Sequence, residues 1–501
     1  MDDSPGVRVT MVKNKATEKV MFVLANKDFV DLLIGFLTIP LGTLSKLVGD
    51  RPIGSLKNIY ECVKGLEPDS FWKGNTAKEL FLSPLNSSER HLTVNITEPT
   101  EYFACVAEKC PYHSVTRSKA VTKCDCGSLL EYPGVHLTGM GFIADAVETY
   151  IIADDLVIRP FNLENTGLSL RRNLGIADSV CIDITEEVVM KLTKTEVLEL
   201  VNLSIFSNTP LSDFLFKRDV AGRPQASGLL SCFNVDQCDV GGEDNNINLG
   251  IRLVIHKPTN SLAFAYVDND FLDVILSFLS FPLGSVVTKF GRNTFLAIDN
   301  LHESISNLND KKLNHVLHPL VPREFAGKTN ILPVEHQRTN LFFYGQHSTY
   351  RNNFEDGKYI LLEDVSDDFH CDFQEVSLIT QSASETGKGF LKAPSTYTIS
   401  TDLLFKHLTP LDLVDIPEYY EVDANDLVEH DVFLGIKEFL MILKASLTSS
   451  TPLGDALKHL FPGFDGGEGH QNVNQFVDRS IEDVQYFDGI VKDVEDDSEC
   501  G

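Results

Sequence analysis

The sequence predicts an α+β fold of two similar tandem domains. Three observations carry this. The chain repeats itself at a fixed offset, each repeat opens with β-rich segments followed by amphipathic ones, and one repeat holds an extra cysteine-rich stretch. Shifted by 242 positions, Val9–Leu66 lies on Ile251–Leu308 without a gap. Lys27-Asp28-Phe29-Val30-Asp31 falls on Asn269-Asp270-Phe271-Leu272-Asp273, and Pro40-Leu41-Gly42 falls on Pro282-Leu283-Gly284. Further on, Gly139-Met140-Gly141-Phe142 matches Gly387-Lys388-Gly389-Phe390, and Thr149-Tyr150 matches Thr396-Tyr397. Thr209-Pro210-Leu211-Ser212-Asp213 matches Thr451-Pro452-Leu453-Gly454-Asp455. The matches keep their order, so a unit of roughly 210 residues is duplicated; two copies of so long a period do not make a solenoid.

Each unit reads as follows. Val7–Val12 and Val20–Ala25 are short and β-rich around Lys13–Lys19, which predicts a hairpin; Ile251–Ile255 and Leu262–Tyr266 repeat it. Phe29, Leu32, Leu33, Phe36 and Leu37 then fall on one helical face, as do Phe271, Val274, Ile275, Phe278 and Leu279. Asp28 and Asp270 are expected as N-caps, where a carboxylate accepts unpaired backbone N–H groups. Pro40 and Pro282 are expected to end these helices, since proline has no N–H to give. A second helix is expected over Ser55–Leu66 with Leu56, Ile59, Val63 and Leu66 inward. Helices are expected near Glu186–Val201 and Val432–Ser446, and each unit closes on a helix with Thr209 or Thr451 as N-cap and Pro210 or Pro452 in the first helical position.

The expected boundaries are a first unit over 7–217, a linker over 218–250, a second unit over 251–460, and an acidic tail over 464–501. The linker holds Gly222, Gly228, Gly241 and Gly242 and a polar Gly-Glu-Asp-Asn-Asn run. In the tail, Glu482–Glu499 contains eight acids and one lysine, the composition of a disordered segment.

Composition narrows the function. The 501 residues carry 43 Lys+Arg against 72 Asp+Glu, a net charge of −29. Phosphate neutralisation needs a basic surface, so nucleic acid is not an expected partner. The most apolar stretches, Leu32–Ser45 and Val274–Thr288, are shorter than the roughly 20 residues a spanning helix needs, so no transmembrane segment is expected. Met1–Gly6 lacks a basic n-region leading into an apolar run, so no secretory leader is expected. Ten cysteines then read as reduced thiols or metal ligands in the cytosol or nucleus.

Four of them, Cys105, Cys110, Cys124 and Cys126, fall within 22 residues as two close pairs. Tetrahedral zinc takes four thiolate or imidazole ligands, and two tight turns deliver them in pairs. The expectation is a zinc-ribbon-like insert at about 103–130 of the first unit, with His113 as an alternate ligand in place of Cys105. The C-x-C spacing is tighter than the common C-x2-C, so four unliganded cysteines or a redox pair stand as alternatives. A complete thiolate set leaves no open position for water, which makes the metal structural.

The paired segments, with Cys124-Asp125-Cys126-Gly127, Thr149-Tyr150, Asp154-Asp155-Leu156, Thr209-Pro210-Leu211 and Ala445-Ser446-Leu447 to Thr451-Pro452-Leu453, resemble a plant family named only as domain-of-unknown-function family 674. The resemblance spans both units. It implies a plant protein and supplies no activity and no catalytic residues. The second unit departs from it by lacking cysteines at the matching place.

Other motifs are weak. Gly139-x-Gly141 and Gly387-x-Gly389 do not complete a phosphate-binding G-x-G-x-x-G, since Ala144 and Lys392 hold the third place, and they read as turns. Asp154-Asp155 could bind a divalent cation but reads rather as a solvated turn. His315 and His318, with His370 and Cys371 distant, are too sparse for a metal, and Cys232 and Cys238 fall in the linker. No G-x-S-x-G or H-E-x-x-H is present. What the two copies share is caps, turns and core, with no His, Cys or Arg kept in both of the matched segments. The reading is therefore a non-enzymatic protein-interaction or scaffold protein with a structural zinc and a protein partner. The alternatives are a small-molecule sensor, or an enzyme with a site in one unit or between units.

Overall fold

The computed structural model describes residues 7–48, 53–86, 149–161, 185–218, 247–291, 295–308, 395–409 and 423–461. It also describes short pieces at 88–89, 92, 103–105, 115–116, 123–130, 132–133, 141–143, 313–317, 321, 325, 331, 340–344, 360–362, 374–379, 389–392 and 420. Most of the linker, the acidic tail from 464, Cys110, His113, Gly139, Gly387, Cys232, Cys238, His318, His370 and Cys371 lie outside the described residues.

The first half begins with a hairpin, β1 (Val7–Asn14) and β2 (Lys19–Ala25), followed by α1 (Lys27–Leu37), α2 (Leu41–Leu47), α3 (Leu56–Gly65) and α4 (Gly74–Leu82). Three two-residue strands come next, β3 (Phe103–Ala104), β4 (Val115–Thr116) and β5 (Tyr132–Pro133). Then come β6 (Tyr150–Ile152), β7 (Ile158–Pro160), β8 (Thr185–Leu192), α5 (Lys194–Phe206) and α6 (Pro210–Leu215). The second half has β9 (Leu249–His256), β10 (Ser261–Val267), α7 (Asn269–Ser277), α8 (Leu283–Phe290), α9 (Leu296–Asn307) and α10 (Asn314–Leu317). It continues with β11 (Asn340–Tyr344), β12 (Ile360–Leu362), β13 (Gln374–Ile379), β14 (Tyr397–Ser400), β15 (Phe405–His407) and β16 (Leu427–Leu434), and ends on α11 (Ile436–Thr448) and α12 (Pro452–Leu457).

Helices and antiparallel sheets make this an α+β fold. The first five-stranded sheet runs β7-β6-β2-β1-β8 and the second β15-β14-β10-β9-β16. Their registers correspond: β1 meets β8 from Val7↔Leu192 to Asn14↔Thr185, and β9 meets β16 from Leu249↔Leu434 to His256↔Leu427. Both hairpins carry an irregularity, at Val12/Lys13 and at Leu262/Phe264, and both turn through a left-handed residue, Glu18 and Asn260. A third sheet, β12-β11-β13-β4-β3-β5, joins the short strands around the cysteines to strands of the second half through the parallel pair β4–β13.

Several elements differ from the expectation. The stretch from Glu186 to Leu192 is strand, and the helix starts only at Lys194; likewise Val432 lies in β16 and the helix starts at Ile436. Val188, Val189 and Val432 favour the pleated strand, and the reciprocal capping box between Thr193 and Glu196 sets the true helix start. The N-caps of α1 and α7 are Asn26 and Asp268, whose side chains accept the N–H groups of Phe29 and Phe271; Asp28 and Asp270 sit in the first turn. Pro40 and Pro282 do not end α1 and α7, which stop at Leu37 and Ser277; they start α2 and α8. Thr209 and Thr451 precede Pro210 and Pro452 as expected, but the hydroxyls of Ser207 and Ser449 accept their backbone N–H groups and donate to Asp213 and Asp455, both at 2.5 Å. Leu56, Ile59 and Val63 of α3 are buried, while Leu66 is half-exposed.

The two Pro-Leu-Gly segments face each other. Pro40 and Pro282 form an isolated antiparallel bridge, in which Leu41 N–H donates to the Phe281 carbonyl and Leu283 N–H to the Ile39 carbonyl, each at 2.9 Å. A Cβ on Gly42 would lie 3.0 Å from the Leu279 carbonyl oxygen, and one on Gly284 would lie 3.1 Å from that of Leu37. The glycines therefore let the two backbones meet reciprocally. Around this seam α1 and α7 are buried along nearly their whole length, and Phe81 of α4 packs edge-on to Phe390, with ring centroids 4.9 Å apart. Both five-stranded sheets and their helices lie in one compact unit, residues 1–458; residues 459–501 form another, of which 459–461 are described. Among the described residues no helix is long and apolar enough to cross a membrane.

Candidate metal centre

Three of the four expected ligands converge. Cys105 follows β3 directly, while Cys124 precedes and Cys126 lies within a tight turn closed by a bridge between Lys123 and Leu129. Inside that turn Gly127 N–H donates to the Cys124 carbonyl at 2.8 Å, and Cys124 N–H to the Ser128 carbonyl at 2.9 Å. Gly127 has φ +88 with nothing within 4 Å of a Cβ, so the residue is needed for its backbone conformation and not for space.

The Sγ atoms of Cys105, Cys124 and Cys126 lie within 4.8 Å of one another, with Cys105 and Cys126 3.6 Å apart. Thiolates around a tetrahedral zinc, each about 2.3 Å from the metal, stand about 3.8 Å apart, so the three sulfurs are spaced to share one ion. Cys105 and Cys124 are buried with Leu130 against Phe103, and Cys126 is exposed. The cluster can hold a metal ion. The remaining expected ligands, Cys110 and His113, lie outside the described residues.

The fold also holds two polar centres that no sequence motif marks. Asp31 on α1 accepts the N–H groups of Phe142 and Ile143 through one oxygen, at 2.9 and 3.0 Å, while its Oδ2 is buried with no hydrogen-bond partner among the described residues. Asp273 on α7 accepts those of Phe390 and Leu391, at 3.0 and 3.1 Å. Burial pushes both carboxyls up, Asp31 to about 6 and Asp273 to about 7, against the opposing pull of those N–H donors. The Gly-x-Gly segments supply the space: a Cβ on Gly141 would lie 2.4 Å from the Asp31 Oδ2, and one on Gly389 would lie 1.3 Å from that of Asp273. These glycines therefore serve a carboxylate contact and not a phosphate loop. Identity of Asp31 and Asp273 across the 242-residue offset was the available signal.

Asp154, read as a solvated turn, is half-buried and accepts Ser212 N–H and Oγ–H at 2.8 and 2.6 Å; burial raises its carboxyl above the usual range. His315 lies on α10.

No curated protein matches the chain, and no solved structure does. The family described as "Protein of unknown function (DUF674)" matches residues 3–437, a span that takes in the thiol cluster, both carboxylate centres and the seam. The chain belongs to that family.

Proposed function

We propose that this protein is a non-enzymatic scaffold for protein interaction, built by tandem duplication of one unit and held at its cysteine-rich insert by a structural zinc. The observation that carries the reading is where the shared polar residues go. Asp31 and Asp273, Ser207 and Ser449, and Asp213 and Asp455 all spend their hydrogen bonds inside the fold. A repeated reaction centre would leave matching groups aimed at a shared opening. The corresponding sheet orders and registers support duplication, with units at 7–217 and 251–460 joined through 218–250.

Zinc fits the three converged thiolates, with Cys110 as the fourth ligand and His113 as the alternate in place of Cys105. Four protein ligands would leave the ion no open position, so its role is to order the insert, worth on the order of 10 kcal/mol of metal-coupled folding. Reduced thiols fit a cytosolic or nuclear location in a plant cell. The interaction reading is tested by crosslinked affinity capture from the source tissue. A protein recovered in fixed stoichiometry with the bait supports it, and repeated recovery of bait alone contradicts it.

A further inference from the structure

The helix that each half contributes after its Pro-Leu-Gly segment does not serve its own sheet. Asn58 on α3 donates from Nδ2 to the carbonyl of Asp402 in the turn between β14 and β15, at 2.8 Å, and Phe405 N–H in that turn donates to Cys62 Sγ at 3.2 Å. In the opposite direction, Asn300 on α9 donates to the carbonyl of Asp155 in the turn between β6 and β7, at 3.1 Å, and Ile158 N–H donates to Ser304 Oγ at 3.0 Å. The positions correspond one to one. Asn58 and Cys62 are related to Asn300 and Ser304 by the offset of 242, and Asp402 and Phe405 to Asp155 and Ile158 by one of 247. Both receiving turns hold a left-handed leucine, Leu156 at φ 65 and Leu403 at φ 67. The neighbours of the two helices follow the same exchange: beside α2 and α4 of its own half, α3 lies against α7 and β15 of the second, and beside α8 and α10 of its own half, α9 lies against α1, α5 and β7 of the first.

We propose that α3 and α9 are a self-recognition pair, and that the partner their receiving surfaces fit is a second copy of this chain. Each half presents a helix and a turn that is complete only with the other half's helix. The reciprocal Pro40–Pro282 bridge makes the interface self-complementary, as in a two-fold dimer. The single chain is the covalently linked form of this exchange. Because each contact joins one half to the other, the first half of one chain can be completed equally by the second half of another.

Trans-complementation tests this with full-length chains. Ile59 on α3 and Leu301 on α9 are equivalent and fully buried. An Ile59→Asp chain spoils the helix that completes its second half, and a Leu301→Asp chain the helix that completes its first. Together they can form one intact pair, from the first half of the Leu301→Asp chain and the second half of the Ile59→Asp chain. Co-refolding at 1:1 is expected to give a heterodimer of twice the 55.7 kDa chain mass, at least tenfold above any dimer from either variant alone. A mixture that yields only what the two variants yield separately overturns the proposal. Hydrogen exchange of milder full-length variants gives a reading independent of refolding. Asn58→Ala is expected to speed exchange at 397–407 and Asn300→Ala at 150–160; a variant that loosens only its own half overturns the exchange.

Discussion

Replacing Asp31 by Asn is expected to stabilise the protein, and to do so more as pH rises. Asp31 receives both backbone N–H groups on one oxygen, so an asparagine carbonyl can keep both bonds while its amide occupies the place of Oδ2. The carboxyl is raised from 3.8 to about 6 by burial. The folded state therefore binds more protons than the unfolded state between those values, and the carboxyl's contribution to stability is full below pH 3.8 and lost as pH rises through 6. A rise from 3.8 to about 6 corresponds to about 3 kcal/mol. Urea unfolding of wild type and Asp31→Asn at pH 4, 6 and 8 is expected to show the variant's advantage growing by up to about 3 kcal/mol, with most of the change between pH 4 and 6. Asp31→Ala, which orphans two buried N–H donors, is expected to destabilise at every pH by roughly 1–3 kcal/mol per donor. A difference between wild type and Asp31→Asn that does not vary with pH, or that turns against Asn as pH rises, would refute the reasoning.

Gly42→Ala and Gly284→Ala each place a methyl against one backbone oxygen across the seam and a closer one of the same half, that of Phe81 or Val316, and denaturant unfolding should register a loss of about 1–3 kcal/mol for each. Gly65→Ala, with nothing within 4 Å, serves as the control and should be neutral or gain up to about 1 kcal/mol. Thr193→Ala removes the capping box of α5 and should cost about 1 kcal/mol in the same assay, while retaining the strand pairing of β8 by hydrogen exchange.

Much of this architecture is legible in the residues. The apolar spacing of Phe29, Leu32, Leu33, Phe36 and Leu37 located α1 because a buried helix face repeats every three to four positions, and the offset of 242 located α7 by the same pattern. The start of α5 is not legible from apolar spacing, because Val188 and Val189 continue an apolar run that fits either period over so short a stretch; the capping box is the deciding mark. Pro40 ends no helix because Thr38 already caps α1, leaving the proline to open α2. The thiol spacing located the candidate metal centre, since neighbouring ligands on a tight turn are a local property. The exchange of α3 and α9 left no local trace. A repeat states which residues are equivalent, but not whether Asn58 serves its own half or the other. That choice shows only in contacts between residues far apart in the chain, such as Asn58 with Asp402 and Asn300 with Asp155.

The structural zinc is the part of the proposed function that one measurement tests most directly, by native mass spectrometry of the protein from its own tissue. The account predicts one zinc per chain, absent from a Cys124→Ser/Cys126→Ser variant. It also predicts that adding a chelator to the wild type loosens the strands at 103–104 and 115–116 by hydrogen exchange while leaving β1, β2 and β8 protected. A wild-type mass equal to the bare chain, under conditions that retain zinc on a known zinc protein, would contradict it.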